Sequence, residues 1–346
     1  MFPKVRNRSF RASVLLAFLL IPLGSSLRGM AQSSRSQKQK VILDTDIGGD
    51  IDDAFALALI LTSPEINLMG VTTAWGDTEL RARLAARMLC ETGKSSIPVF
   101  AGVPTKQNTT LTQAAWARRF PASRISKQDA IAWMARTIRK NPGQITLIAI
   151  GPLSNVGALI ERDPAAFHML KRVVLMGGSI RRDYHDLENV PSRGPAREYN
   201  IVTDVPSAQK LFTSGVPITM LPLDSTLLLR MDDGQQQIVF KRNTPLTDAL
   251  AHLTSQWGAK RTSRIPTLFD VMAVEEAIDG KLCPLQPMHI RVDDGGYTRV
   301  ETGAPNAFVC LNSDPNTFFQ FLIPRLTQQS LRPANGETCS SNSSGE

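Results

Sequence analysis

From Val41 onward, short runs of apolar residues alternate with longer stretches in which apolar positions recur every three or four residues. The first kind reads as buried strands and the second as helices packed on one face. Strands are predicted at 41–45, 67–74, 97–100, 145–150, 172–176 and 217–221, and helices at 53–62, 78–92, 127–139, 154–162, 205–213 and 269–278. A run such as Ile145-Thr-Leu-Ile-Ala-Ile150 is expected where helices cover both faces of a sheet. The pattern therefore predicts an α/β fold, an open and mostly parallel sheet flanked by helices. Strand-like segments over 288–311, around Asp294-Gly295-Gly296, predict a small C-terminal β-hairpin addition to the same domain, followed by a helix at 315–326.

Before Val41 the pattern changes. Lys4, Arg6, Arg8 and Arg11 precede an apolar stretch, Ala12 to Leu23, and Gly29-Met30-Ala31 forms a small-x-small site. This is the composition of a signal peptide over residues 1–31, with a linker at 32–40, a domain at 41–328 and a disordered tail at 329–346. About a dozen apolar residues are too few to cross ~30 Å of hydrocarbon as a helix, so export to the periplasm or the outside is expected, without a stable membrane anchor. Lys4, Arg6, Arg8, Arg11 and Arg28 carry five of the formal +8 charges and leave +3, which gives no reason to invoke nucleic acid. Cys90, Cys283, Cys310 and Cys339 lack any C-x-x-C spacing, so zinc and iron–sulfur sites are not supported. Cys90 and Cys310 sit in apolar runs and are expected as buried free thiols.

Five aspartates, Asp44, Asp46, Asp50, Asp52 and Asp53, crowd the turn between the strand at 41–45 and the apolar helix that follows. Helix capping accounts for one or two of them, because the helix dipole favours carboxylates in the first turn. It does not account for five, and like charges at this density call for a hard cation. An EF-hand loop counted from Asp44 has Phe55 where a bidentate Glu is needed. A haloacid-dehalogenase-type phosphatase would use Asp44-Thr45-Asp46 but leaves Asp52-Asp53 idle. Polar signals also follow other predicted strands, at Trp75-Gly76-Asp77, Gly151-Pro152-Leu153-Ser154-Asn155 and Met176-Gly177-Gly178, and so point to one rim of the sheet.

The knot Asp44-Thr-Asp46-Ile-Gly-Gly-Asp-Ile-Asp52-Asp53-Ala54 resembles the signature of the inosine–uridine-preferring nucleoside hydrolase family, Asp-x-Asp-Pro-Gly-x-Asp-Asp-Ala, with two extra residues in the turn. The resemblance continues at Gly70–Asp77, Ile97–Gly102, Ile150–Asn155, Val174–Gly178, Arg197-Glu198-Tyr199-Asn200 and Phe269-Asp270, seven blocks in the family's order over about residues 40–325. It implies a Rossmann-like core and calcium-dependent hydrolysis of the N-glycosidic bond of ribonucleosides or related ribosyl compounds. It also implies a small-molecule nucleoside partner and a homodimer or homotetramer.

Residue by residue, the resemblance implies that Asp46, Asp53, Asp270 and the main-chain carbonyl of Ile150 hold Ca²⁺. Asp52, Asp77, Glu198 and Asn200 would contact the sugar, and Asp46 would be the general base for the attacking water. The chemistry suits an acidic site, since the sugar becomes oxocarbenium-like as the bond breaks. The chain departs from the family pattern in three places: Phe269 replaces a histidine that assists the leaving base, Asp77 replaces an asparagine, and Ser192 replaces another. His185 is the histidine nominated as a substitute acid. Trp75 and Trp257 are candidates either for base stacking or for the core. Phe269 keeps a second reading open, a non-catalytic calcium- and ribose-binding protein of the same fold.

Overall fold

Strand β1 (Gln39–Thr45) is apolar on both faces and lies between β2 (Ile66–Thr73) and β4 (Ile145–Ala149), parallel to both. The chain first builds outward on one side, through β2 to β3 (Val99–Ala101). It then crosses β1 and builds outward on the other side, through β4, β5 (Arg172–Met176) and β6 (Ile218–Leu221). The order of the nine strands is β3-β2-β1-β4-β5-β6-β9-β7-β8, with β9 (Ala307–Cys310) parallel to β6. Strands β7 (Leu285–Val292) and β8 (Thr298–Glu301) form the antiparallel hairpin that turns at Asp294-Gly295-Gly296. The predicted α/β class, parallel sheet and C-terminal hairpin are all present. The direction of building reverses between β1 and β4, and open α/β sheets bind ligands in the crevice at such a point.

This computed structural model describes residues 38–106, 110–188, 190 and 193–339, together with Met1, and the unit discussed here begins at Gln37. The expected leader beyond Met1, most of the expected linker, Ser192 and the chain after Cys339 lie outside the described residues. Among the described residues no helix is long and apolar enough to cross a membrane.

Helix α1 (Asp52–Thr62) is buried from Asp52 through Ile60, packed against β2 and the helices at Pro245–Gly258, Val271–Ile278 and Pro315–Thr327. A helix apolar on every side is stable only in such an interior position. Helix α2 (Thr78–Glu91) is amphipathic and buries Ala82, Leu84, Ala85, Met88 and Leu89, but also Arg81, whose whole side chain is shielded from solvent.

The expectation about the cysteines needs correction. Cys90 is bonded to Cys339 and Cys283 to Cys310, so neither Cys90 nor Cys310 is a free thiol. Cys90 and Cys339 lie 249 residues apart in sequence, and nothing local in the chain pairs them. The bond ties the segment expected as a tail, 329–346, to α2 at Cys339. Glu337 of that segment also meets Arg124 at 2.7 Å.

Candidate active site

The carboxyl ends of β1 and β4 lie side by side, with Asp44 opposite Ala149 in register. The next residues of each strand, Asp46 and Ile150-Gly151, therefore come together. A Cβ at Gly151 would fall 2.8 Å from the Asp46 backbone nitrogen, so only glycine permits this approach. The turn 47–51 needs Gly48 at φ +113°, where a side chain would also strike Leu84. The turn, which contains the two extra residues, is pinned from outside. Thr112 donates to Gly49 O (2.8 Å), Gln113 to Asp50 O (2.5 Å), and Arg261 bridges Asp50 (3.0 Å). Asp50 is thus committed to Arg261.

Beyond the turn, α1 delivers Asp52 and Asp53 into a cavity of about 760 Å³, within the usual range for small-molecule sites. Neither caps the helix: its first position, Ile51, has no side-chain cap. Asp270, at the start of the helix Val271–Ile278, comes in from the opposite side. One oxygen each of Asp52, Asp53 and Asp270 fits within a 4.8 Å cluster, and all three side chains are buried. At that spacing each pair of ionised carboxylates repels by about 3 kcal/mol at an effective dielectric of ~20. Burial first, then the charge of neighbouring carboxylates (Asp50 and Asp46 on Asp52, Asp46 and Asp52 on Asp53, Asp52 and Asp53 on Asp270), pushes all three carboxyls well above the ordinary carboxylate range.

The remaining sequence-nominated residues divide clearly. Asp46 lines the cavity beside the cluster, its Oδ2 3.6 Å from Arg81 Nη2. Burial raises its carboxyl while Arg81 lowers it. Glu198 is spent on backbone: it accepts from Gly178 N (2.9 Å), Asn200 N (2.9 Å) and Ile201 N (3.1 Å), and burial still pushes it to about 7. Asn200 donates to Met176 O (3.1 Å) and Ile150 O (3.4 Å), which ties the ends of β4 and β5 to this wall. Ile150, Glu198 and Asn200 all line the cavity.

Five residues singled out in the sequence do not line the cavity. Asp77 is exposed and caps α2 by accepting from Leu80 N at 2.9 Å; it is not among the cavity-lining residues. His185 turns to Asp183 at 3.0 Å and does not line the cavity, while the adjacent Tyr184 does. Trp75 and Trp257 are buried and do not line the cavity themselves; Trp257 lies 5.5 Å beneath the guanidinium of Arg261, which does. Asp44 is enclosed, accepting from Thr72 (2.5 Å) and Asn155 (2.7 Å), and burial raises it to about 7. Because Asp44 and Asp46 are separated in this way, the phosphatase reading loses its Asp-x-Asp pair.

Several lining residues were not singled out in the sequence, Arg81 foremost. Arg81 donates from Nε to Trp75 O (2.8 Å) and from Nη1 to Ile47 O (3.0 Å), so two carbonyls aim its guanidinium at Asp46. Its signal is an arginine at apolar spacing on α2, in line with Thr78, Ala82 and Ala85. Lys260 and Arg261, which follow the helix Pro245–Gly258, and Arg197 also line the cavity.

Three carboxylates this close and this buried call for a compensating cation. The donors of the cluster are all carboxylate oxygens, a set that suits calcium. A family model, inosine-uridine preferring nucleoside hydrolase, matches residues 41–320. The chain belongs to this family. Among curated members, the chain is 36% identical over 238 residues to an uncharacterised protein of Schizosaccharomyces pombe, covering 64% of this chain and 74% of that protein. It is 30% identical to uridine nucleosidase 1 of Arabidopsis thaliana, covering 56% of this chain and 59% of that one. It is 27% identical to the pyrimidine-specific ribonucleoside hydrolase RihA of Salmonella arizonae, covering 83% and 97%. The fold resembles that of a plant nucleoside hydrolase, PpNRh1, with a TM-score of 0.71 at 23% identity, covering 84% of this chain and 99% of that chain. A purine-preferring ribonucleoside hydrolase from Gardnerella vaginalis gives a TM-score of 0.70, also at 23% identity, covering 84% and 98%.

Proposed function

We propose that the chain hydrolyses the N-glycosidic bond of ribonucleosides, or of a related ribosyl compound, with calcium held by Asp52, Asp53 and Asp270. The observation that carries this reading is the buried three-carboxylate cluster at the strand-order reversal of a family member. The Ile150 carbonyl beside it is a further oxygen ligand. Of the metal set inferred from the sequence, Asp53 and Asp270 lie in the cluster together with Asp52, and Asp46 lines the same cavity with Arg81. When bound, calcium lowers the pKa of a coordinated water and orients ribose hydroxyls.

The chain's own residues supply the rest. Asp46, held by Arg81, takes the proton of the water that attacks C1′. The bond's electron pair passes to the aglycone. The carboxylates below the sugar stabilise its growing positive charge. Asn200 stands on the wall where the sugar rests, and Glu198 fixes that wall through three backbone N–H groups. Among the described residues no histidine lines the cavity, and Phe269 does. Aglycones that leave without strong acid help are therefore the favoured substrates.

Ribose release from a panel of nucleosides and from p-nitrophenyl riboside, with and without calcium chelation, tests the reading. Release that requires calcium supports it; no release from any of them in excess calcium favours the non-catalytic binding protein. We also propose export. The leader-like composition of residues 1–31 supports this, as do two disulfides, which persist in oxidising compartments.

A further inference from the structure

The cavity is polarised from floor to mouth. Its floor carries the buried carboxylates Asp52, Asp53, Asp270 and Glu198, whereas Arg197, Lys260 and Arg261 are exposed residues at its mouth, with Tyr184 and Tyr199. Among the described residues, the mouth carboxylate Asp50 is already paired with Arg261 at 3.0 Å. Arg197 donates from Nε to Gly295 O (2.7 Å), which fixes the stem of its guanidinium. Among the described residues neither Lys260 nor Arg197 has a carboxylate partner. Two unpaired cations over one opening are an arrangement for recognising an anion, and their attraction at the rim sets selectivity more than tightness.

What reaches the mouth follows from the proposed function, on which this inference rests. If the ribose sits on the acidic floor, its C1′ substituent points outward toward the cations and the aromatic rings. We propose that Lys260 and Arg197 select ribosides whose aglycone carries a negative charge, such as a heterocyclic carboxylate. The absence of a lining histidine agrees with this. Cations that stabilise charge gathering on the departing ring do part of the work that protonation would otherwise do.

The test uses a matched pair, 5-carboxyuridine and 5-carbamoyluridine, which share shape and differ by one charge, with uridine and uridine 5′-phosphate as references. For the calcium-loaded wild-type protein, kcat/KM is expected to be at least tenfold higher for the carboxylate than for the carboxamide. Lys260→Gln and Arg197→Gln should each cut that ratio threefold or more. A wild-type ratio near or below one overturns the proposal, as does a ratio that both variants leave unchanged. Preference for uridine 5′-phosphate over uridine, with no discrimination between the modified pair, would put the anion on the sugar and also overturns it. Calorimetric affinities for the same pair separate the two readings. Charge-selective binding without hydrolysis of any nucleoside would sink the hydrolase reading and leave this one standing. Equal affinities together with active hydrolysis would do the reverse.

Discussion

Arg81 Nη2 lies 3.6 Å from Asp46 Oδ2 on the cavity floor, and the arginine is wholly buried. A buried guanidinium is tolerated only with its donors matched, and here the carbonyls of Trp75 and Ile47 take two of them. Arg81 therefore links the strand end that carries Asp46 to the strained turn at Trp75, which has a positive φ of 66°.

Replacing Arg81 by Gln should accordingly damage both activity and stability. Stability should fall by about 3 kcal/mol, because Asp46 and two carbonyls lose a buried partner. The kcat should fall at least tenfold with a smaller change in KM, because the base loses its orientation. Arg81→Lys keeps the charge but not the fork, and should lie between the two. Urea denaturation and steady-state kinetics on both variants check this; wild-type values for Arg81→Gln would remove Arg81 from the account.

Phe269 adjoins Asp270 and lines the cavity where a proton donor would serve the leaving group. Phe269→His should raise kcat for unactivated nucleosides about tenfold or more, the lower end of what general acid catalysis contributes being roughly a hundredfold. It should leave p-nitrophenyl riboside, whose aglycone leaves unaided, nearly unchanged. Equal effects on both substrates would show that position 269 does not act on the leaving group.

The Cys90–Cys339 bond closes a loop of 249 residues and ties the tail to α2, the helix that carries Arg81. Cys339→Ser should lower stability by about 2–5 kcal/mol and open the tail after Arg332 to proteolysis. Thermal melts and limited proteolysis report this. An unchanged melt with a protected tail would mean the disulfide is not formed in solution.

Glu275 is buried next to Glu276, and burial first, then that neighbour, pushes its carboxyl up to about 7. The folded protein then holds a proton that the unfolded chain releases near pH 4.5. The stability this contributes is complete below pH 4.5 and is lost as pH rises through 7. Glu275→Gln should melt close to wild type at pH 5 and a few degrees higher at pH 8. Parallel pH profiles for the two proteins would contradict the assignment.

Much of this was legible in the chain. The apolar runs Val41–Leu43 and Ile145–Ile150 marked the two central strands, and the acidic turn after the first marked the site. The seven family blocks placed Asp270 and Asn200 in it from 130 residues or more away. What stayed hidden depends on long-range packing. Asp77 opens a helix, where a capping carboxylate and a ligand-binding one look alike in sequence. Arg81 reads as one of several arginines on α2 until its burial is seen. The pairing of Cys90 with Cys339 leaves no local mark, nor does the convergence of Lys260 and Arg197 from separate segments.

Calcium titration by calorimetry tests the central claim most directly, comparing wild type with Asp53→Asn and Asp270→Asn. The account predicts one calcium ion per wild-type chain and at least a tenfold loss of affinity in each variant. Ribose release should fall in parallel. Calcium binding of wild-type strength in both variants, or undiminished ribose release in excess chelator, would contradict it.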